Sequence, residues 1–245
     1  FGMTKGITVT EFILSRQKER PEATGAFTSI LSELTVAAKI IAKNVDKANL
    51  SDMLDTIEPD GVGEVFVQKL REYANSTIIN RLSHVGYLAC MVSKMNTDLI
   101  PIPEEYPRGN YILIFDPLGG VTNIDVPVTI GTIFSILRKK GPREFGLMAD
   151  ALQPGYEQVA AGYFIYGSSK IMVYTTGDGV HGFTLQPSIG EFLLSQEDIR
   201  IPKKGKTYSV NEGNYYFWDE NVQNVVEYFK TPDIKTGRPY GARYT

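Results

Sequence analysis

The sequence predicts a mixed α/β protein, helices leading and strands following, on three observations. Tyr111-Ile-Leu-Ile-Phe115 is an unbroken apolar run of the kind a buried strand shows, with Asp116 at its end. Ile30, Leu31, Leu34, Ala38, Ile41 and Ala42 recur at helical spacing well upstream. Downstream, short apolar runs are separated by Gly/Pro turns, the pattern of successive strands. Helices on one side of a strand-rich half argue for a layered α/β or α+β arrangement.

In order, Ile7 to Arg20 reads as a short amphipathic helix that Pro21 ends. A second helix starts at Thr24-Gly25-Ala26-Phe27-Thr28 and carries the apolar stripe to about Ala48. Asp60-Gly61-Val62-Gly63 is expected to be a loop, and Val65 to Leu82 a third helix. Gly86 to Val92 reads as a buried strand, and Pro101 to Arg108 as a proline-rich surface turn. After Phe115, Pro117 should fix φ and stop the ladder, with Gly119-Gly120 permitting a tight turn. Strands follow at Thr132–Leu137, Gln158–Tyr166, Ile171–Thr175, His181–Leu185 and Phe192–Leu194, then a helix from Asn221 to Lys230.

Composition excludes several classes. With 25 basic and 28 acidic residues the net charge is −3, which gives no support to a nucleic-acid or polybasic membrane partner. No apolar run approaches the roughly 18 to 20 residues of a membrane helix. Cys90 is the single cysteine, so no intrachain disulfide forms. His84 and His181 have no Cys, His or carboxylate at ligand spacing, which argues against zinc. The opening Phe1-Gly-Met-Thr-Lys-Gly is no signal peptide, and a start at Phe1 points to preceding residues.

Asp116 beside a glycine turn suits a cation or a phosphate, because backbone N–H groups of such a turn can face an anion; taken alone, an Asp-Pro turn is more often plain punctuation. The longer string Phe-Asp-Pro-Leu-Gly-Gly-Val-Thr-Asn-Ile-Asp125, followed by Gly131-Thr-Ile-Phe134, closely resembles the class I fructose-1,6-bisphosphatases, which read Asp-Pro-Leu-Asp-Gly-Ser-Ser-Asn-Ile-Asp and then Gly-Thr-Ile-Phe. Ala151-Leu-Gln-Pro-Gly155, Lys204-Gly-Lys-Thr-Tyr208, Asn211-Glu-Gly213 and Pro239-Tyr-Gly-Ala-Arg-Tyr244 extend the resemblance along nearly the whole chain. It implies an α-β-α-β-α sandwich of the sugar-phosphatase type. Residues 1–150 would be the AMP-domain-like half with a metal-site remnant. Residues 151–245 would be the sugar-phosphate-domain-like half, truncated at its C-terminus.

The family's phosphate ester hydrolysis uses Mg²⁺, which activates water and neutralises the leaving oxygen, and Mg²⁺ wants clustered carboxylate oxygens. Matched to the family's acidic set, only Asp116 is retained; Arg71, Lys94, Met95 and Gly119 stand at the other positions, and Glu64 is an uncertain counterpart of an acidic loop residue. A unit charge 4 Å from a dication repels it by roughly 8 kcal/mol at an effective dielectric of about 20. The expectation is therefore a catalytically inactive homologue with a degenerate metal site, needing no cofactor and acting as a structural or regulatory subunit. The alternatives are an active, Mg²⁺-dependent fructose-1,6-bisphosphatase that removes the 1-phosphate, and a sensor of AMP or a sugar phosphate.

The resemblance also carries binding positions. Gly120, Val121, Thr122, Asn211, Tyr215, Arg243 and Tyr244 match sugar-phosphate contacts, with Arg243 acting across a subunit interface in the family. Thr24, Gly25, Thr28, Tyr111 and Arg138 match the AMP contacts, though Ala26 replaces an acidic residue and Asn110 a lysine. On their own, Thr24 to Thr28 fit a helix cap as well as a phosphate site. A homo-oligomer or a place in a larger complex is expected, in the cytoplasm or the plastid stroma. Gly141 to Asp150 lacks the cysteine-bearing insertion of the chloroplast form.

Overall fold

The computed structural model describes residues 6–17, 25–50, 62–120, 130–142, 145–233 and 237–242. The predicted positions Thr24, Asp60, Gly61, Val121, Thr122, Arg243 and Tyr244 lie outside them.

The apolar stripe of the second predicted helix is continuous over α2 (Ala26–Leu50), where Ile30, Leu31, Leu34, Ala38, Ile41 and Val45 are buried. α3 (Val62–Leu82) buries Leu70, Ala74, Ile78 and Leu82, one residue per turn, along a single line. It starts earlier than the sequence predicts: Val62 and Gly63 are helical, because nothing after them breaks the 3.6 repeat. α1 (Val9–Gln17) adds Val9, Phe12 and Ile13 to the same core. Arg81 and Glu33 form an ion pair at 2.6 Å between α3 and α2.

These helices cover one face of an eight-stranded mixed sheet. Its strands are β1 (Leu88–Ser93), β2 (Ile100–Pro101), β3 (Tyr111–Gly119), β4 (Gly131–Arg138), β5 (Gln158–Tyr166), β6 (Lys170–Thr175), β7 (Val180–Gln186) and β8 (Glu191–Gln196), in the order β2-β1-β3-β4-β5-β6-β7-β8. β1 and β3 run parallel; every other neighbouring pair is antiparallel. The period-2 alternation sends Tyr111, Leu113 and Phe115 to the helices, and Ile112 to a smaller cluster with Cys90, Leu137 and Ala151 on the other face. A register shift between Leu88 and Cys90 lets Leu88 and Met91 share the helix side.

Pro117 does not stop the ladder as expected. β3 continues through it to Gly119, with a register shift between Asp116 and Gly119. Proline removes only a donor; its carbonyl still accepts, here from the Thr132 hydroxyl at 2.7 Å, which also meets the buried Tyr166 hydroxyl at 2.7 Å.

On the second face, the short helix α4 (Met148–Ala151) is held by Asp150, a buried carboxylate. Its Oδ2 accepts from the Leu147 N–H and its Oδ1 from the Lys140 N–H, both at 3.0 Å. The bond from Leu147 is the main reason its carboxyl titrates below the ordinary value of 3.8. A depressed pKa contributes stability above the unfolded value that is lost as pH falls through the folded one, so this contribution is progressively lost as pH falls below about 4. We expect Asp150→Asn to lose about 1 to 3 kcal/mol at neutral pH, because its amide turns a donor on a backbone donor. Its unfolding midpoint should also fall less steeply in acid than the unsubstituted chain's. Urea melts at pH 7 and pH 3 check this; parallel acid dependence would remove Asp150 from the account.

The chain divides into two compact units, a larger one of residues 1–199 and a smaller one of residues 200–245. In the smaller unit α5 (Glu220–Lys230) is capped by Asp219, whose Oδ1 accepts from the N–H groups of Asn221 and Val222. β9 (Thr207–Tyr208) pairs in parallel with β10 (Gly241–Ala242), and Phe229 packs between Tyr208 and Tyr240.

Candidate phosphate-ester site

The parallel pair β1/β3 puts its two C-terminal ends side by side, and the chemistry-bearing residues collect there. Ser93 ends β1 and pairs with Phe115; Lys94 follows Ser93 as Asp116 follows Phe115. The Lys94 backbone N–H donates to the Phe115 carbonyl at 3.0 Å, fixing where its side chain begins. Lys94 Nζ reaches Asp116 Oδ2 at 2.8 Å. The Asp116 side chain is 23% exposed and that of Lys94 is 72% exposed, so the ammonium faces solvent while holding the carboxylate.

A polar chain missed by the sequence reading anchors this corner. Buried Ser93 donates its hydroxyl to Asn75 Oδ1 at 2.6 Å and accepts the Met95 N–H at 3.2 Å. Asn75 Nδ2 donates to Asn96 Oδ1 at 3.0 Å. The only sequence signal was Asn75 lying one helical turn after Arg71 on α3, a spacing that puts both on one face. A Cβ added at Gly119 would lie 3.7 Å from Asp116 Oδ2 and 3.8 Å from the Gly131 carbonyl, so a side chain there would abut Asp116. Gly120 has φ +81, a left-handed turn that glycine adopts without strain.

The other matched positions fall in two places. Tyr111 and Arg138 are register partners across β3 and β4; Arg138 Nη2 donates to the Tyr111 hydroxyl at 3.3 Å, and its guanidinium lies 5.6 Å from the ring centroid. Phe27, on the first turn of α2 between Gly25 and Thr28, packs edge-on against Tyr111 at 5.3 Å. The structure thus brings Gly25, Thr28, Tyr111 and Arg138 to one region. In the smaller unit Asn211 caps a 3₁₀ turn, accepting the Gly213 N–H, and the Lys230 ammonium lies over the Tyr215 ring, 5.4 Å from its centroid. His181 is structural: Asp198 N–H donates to its Nδ1, and Phe12 and Tyr174 pack against its ring.

A large mixed sheet with helices on it and a phosphate-suited turn at a parallel strand end defines a sugar-phosphatase class of fold. The chain belongs to the fructose-1,6-bisphosphatase family. The family described as Fructose-1-6-bisphosphatase, N-terminal domain, matches residues 7–197. The class 1 fructose-1,6-bisphosphatase of Oleidesulfovibrio alaskensis is 53% identical over 242 residues, 97% of this chain and 71% of the relative. That of Lawsonia intracellularis is 49% identical over 99% of this chain and 72% of the relative. Leishmania major fructose-1,6-bisphosphatase in its holo form superposes with a TM-score of 0.81 at 33% identity, covering 97% of this chain and 71% of that one.

These relatives correct the expectation of an inactive homologue that is not an enzyme. It rested on Arg71, Lys94, Met95 and Gly119, but the proteins that share about half of this chain's residues along almost all of its length are class 1 fructose-1,6-bisphosphatases. The expectation that no cofactor is needed finds no support either, since the family is metal-dependent. The described residues nevertheless do not fit a divalent ion. Among them no three His, Cys, Asp or Glu side chains come together, and Asp116 already carries an ammonium at 2.8 Å. Among the described residues no helix is long and apolar enough to cross a membrane.

Proposed function

We propose that the protein is a fructose-1,6-bisphosphatase, hydrolysing the 1-phosphate of fructose 1,6-bisphosphate so that water adds to phosphorus and the sugar oxygen leaves with a proton. The observation that carries this reading is the 49–53% identity, over nearly the whole chain, to class 1 fructose-1,6-bisphosphatases. The strand-end corner of Lys94, Asp116, Gly119 and Gly120 is the proposed place for the reacting phosphate, with Val121 and Thr122, next in sequence, as further proposed contacts. Asn211, Tyr215, Arg243 and Tyr244 are proposed to keep the sugar-phosphate-binding role their positions have in the family. The grouping of Gly25, Thr28, Tyr111 and Arg138 supports an AMP-type regulatory site, with Thr24 as a further proposed contact. The functional division near residue 150 is proposed from the family resemblance, whereas the compact units divide between residues 199 and 200. A homo-oligomer in the cytoplasm is the proposed setting; the bacterial relatives lend nothing to a plastid one.

Phosphate release from fructose 1,6-bisphosphate by the purified protein tests the reading. Turnover is expected, and Asp116→Asn, which removes the carboxylate that holds the Lys94 ammonium at 2.8 Å, should reduce it about 10-fold or more, the scale of one charge-assisted hydrogen bond. No release above background, with or without added Mg²⁺, would overturn it.

A further inference from the structure

A phosphate ester at this corner needs positive charge, and the described residues supply it from the chain itself. We propose that the Lys94 ammonium is the cation that takes the substrate's phosphate here, standing at Asp116 where the family uses a divalent ion. The inference rests on the reading above for the identity of the substrate.

Lys94 has three N–H donors; one is spent on Asp116 Oδ2 at 2.8 Å, and a side chain 72% exposed leaves the others facing solvent. Asp116 thereby acts as a positioning residue, holding the ammonium at the strand end rather than touching an anion of its own sign. The backbone at Lys94 is fixed by its N–H bond to Phe115 and by the neighbouring Ser93–Asn75–Asn96 chain, so the side chain starts from a set position. Gly119 puts no side chain beside Asp116, where a Cβ would stand in contact with Oδ2 at 3.7 Å. Arg71, one turn before Asn75 on α3, adds a second cation on the helix face that meets this corner. A hard divalent ion asks for several carboxylate oxygens, whereas a phosphate asks for N–H donors and positive charge, which are what this corner presents.

Calorimetry on the full chain separates the two. Titrating fructose 1,6-bisphosphate and, separately, inorganic phosphate should give the same affinity in EDTA and in Mg²⁺. Lys94→Ala should weaken binding about 10-fold or more, the worth of one charge-assisted hydrogen bond, while Lys94→Arg stays within a few-fold. Titrating Mg²⁺ alone should give no saturable heat with the unsubstituted chain. It should give saturable heat, and a melting temperature that rises with Mg²⁺, in the double variant Lys94→Glu/Gly119→Asp, whose new carboxylates flank Asp116. Bisphosphate binding that disappears in EDTA, saturable Mg²⁺ binding by the unsubstituted chain, or full affinity in Lys94→Ala would each overturn the proposal. Metal-independent binding through Lys94 without any turnover would instead sink the assigned activity and leave this inference standing. Turnover with EDTA-sensitive binding would do the reverse.

Discussion

Replacing Phe134 by alanine is expected to cost about 3 to 5 kcal/mol of folding stability. Phe134 is 1% exposed on β4, opposite Phe115 on one side and Gly162 on the other. Its ring lies 5.7 Å from that of Phe164 and occupies the space the missing Gly162 side chain leaves, since a Cβ there would lie 2.7 Å from Phe134 Cζ. Neighbouring strands hold the backbone on both edges, so the hole cannot collapse, and the cavity term adds to the lost transfer energy. For a chain of this size the melting temperature should fall by roughly 6 to 20 °C. Denaturant unfolding of the two proteins measures it; a difference below about 1 kcal/mol would mean that this centre repacks freely.

Gly109→Ala is expected to cost about 3 kcal/mol or more, the upper end for overpacking. A Cβ at Gly109 would come within 2.3 to 2.4 Å of the Tyr87 carbonyl oxygen, carbonyl carbon and Cα, all backbone atoms with no rotamer to escape through. At the same junction the Gly109 N–H donates to the Leu88 carbonyl and the Tyr111 N–H to the Tyr87 carbonyl. Pushing these segments apart disturbs the start of the β1/β3 pair whose far end holds Lys94 against Asp116. The matched comparison is Gly141→Ala, where a Cβ meets nothing within 4 Å; it should be neutral or slightly stabilising, because alanine narrows the unfolded ensemble. Equal melting temperatures for the two variants would refute the account.

Much of the fold was legible because it depends on local periodicity. The apolar stripe of α2 states which face is buried, the run ahead of Asp116 marks a buried strand, and Gly/Pro turns delimit β5; these elements appear within a few residues of their predicted bounds. Boundaries were less legible where the deciding partner is remote. Pro117 reads locally as a stop, but Thr132, fifteen residues on, supplies a donor for its carbonyl and the strand continues. Arg138 and Tyr111 matched a family pattern separately; only the pairing of β3 with β4 makes them neighbours.

The site divides in the same way. By itself the sequence determined which residue types are present: an Asp-Pro-Leu-Gly-Gly segment at the end of a buried apolar run, with Lys94 and Met95 at the end of another. It also determined the charge this gives the corner, because charge is a property of composition. Tertiary structure decided what those charges do. Parallel pairing of β1 with β3 places Lys94 Nζ at 2.8 Å from Asp116 with most of its side chain in solvent, and the buried Ser93–Asn75 bond fixes the corner. Whether an ammonium and a carboxylate repel a third ion or jointly present one depends on distance and burial, and a sequence records neither, since both come from strands brought together across long loops.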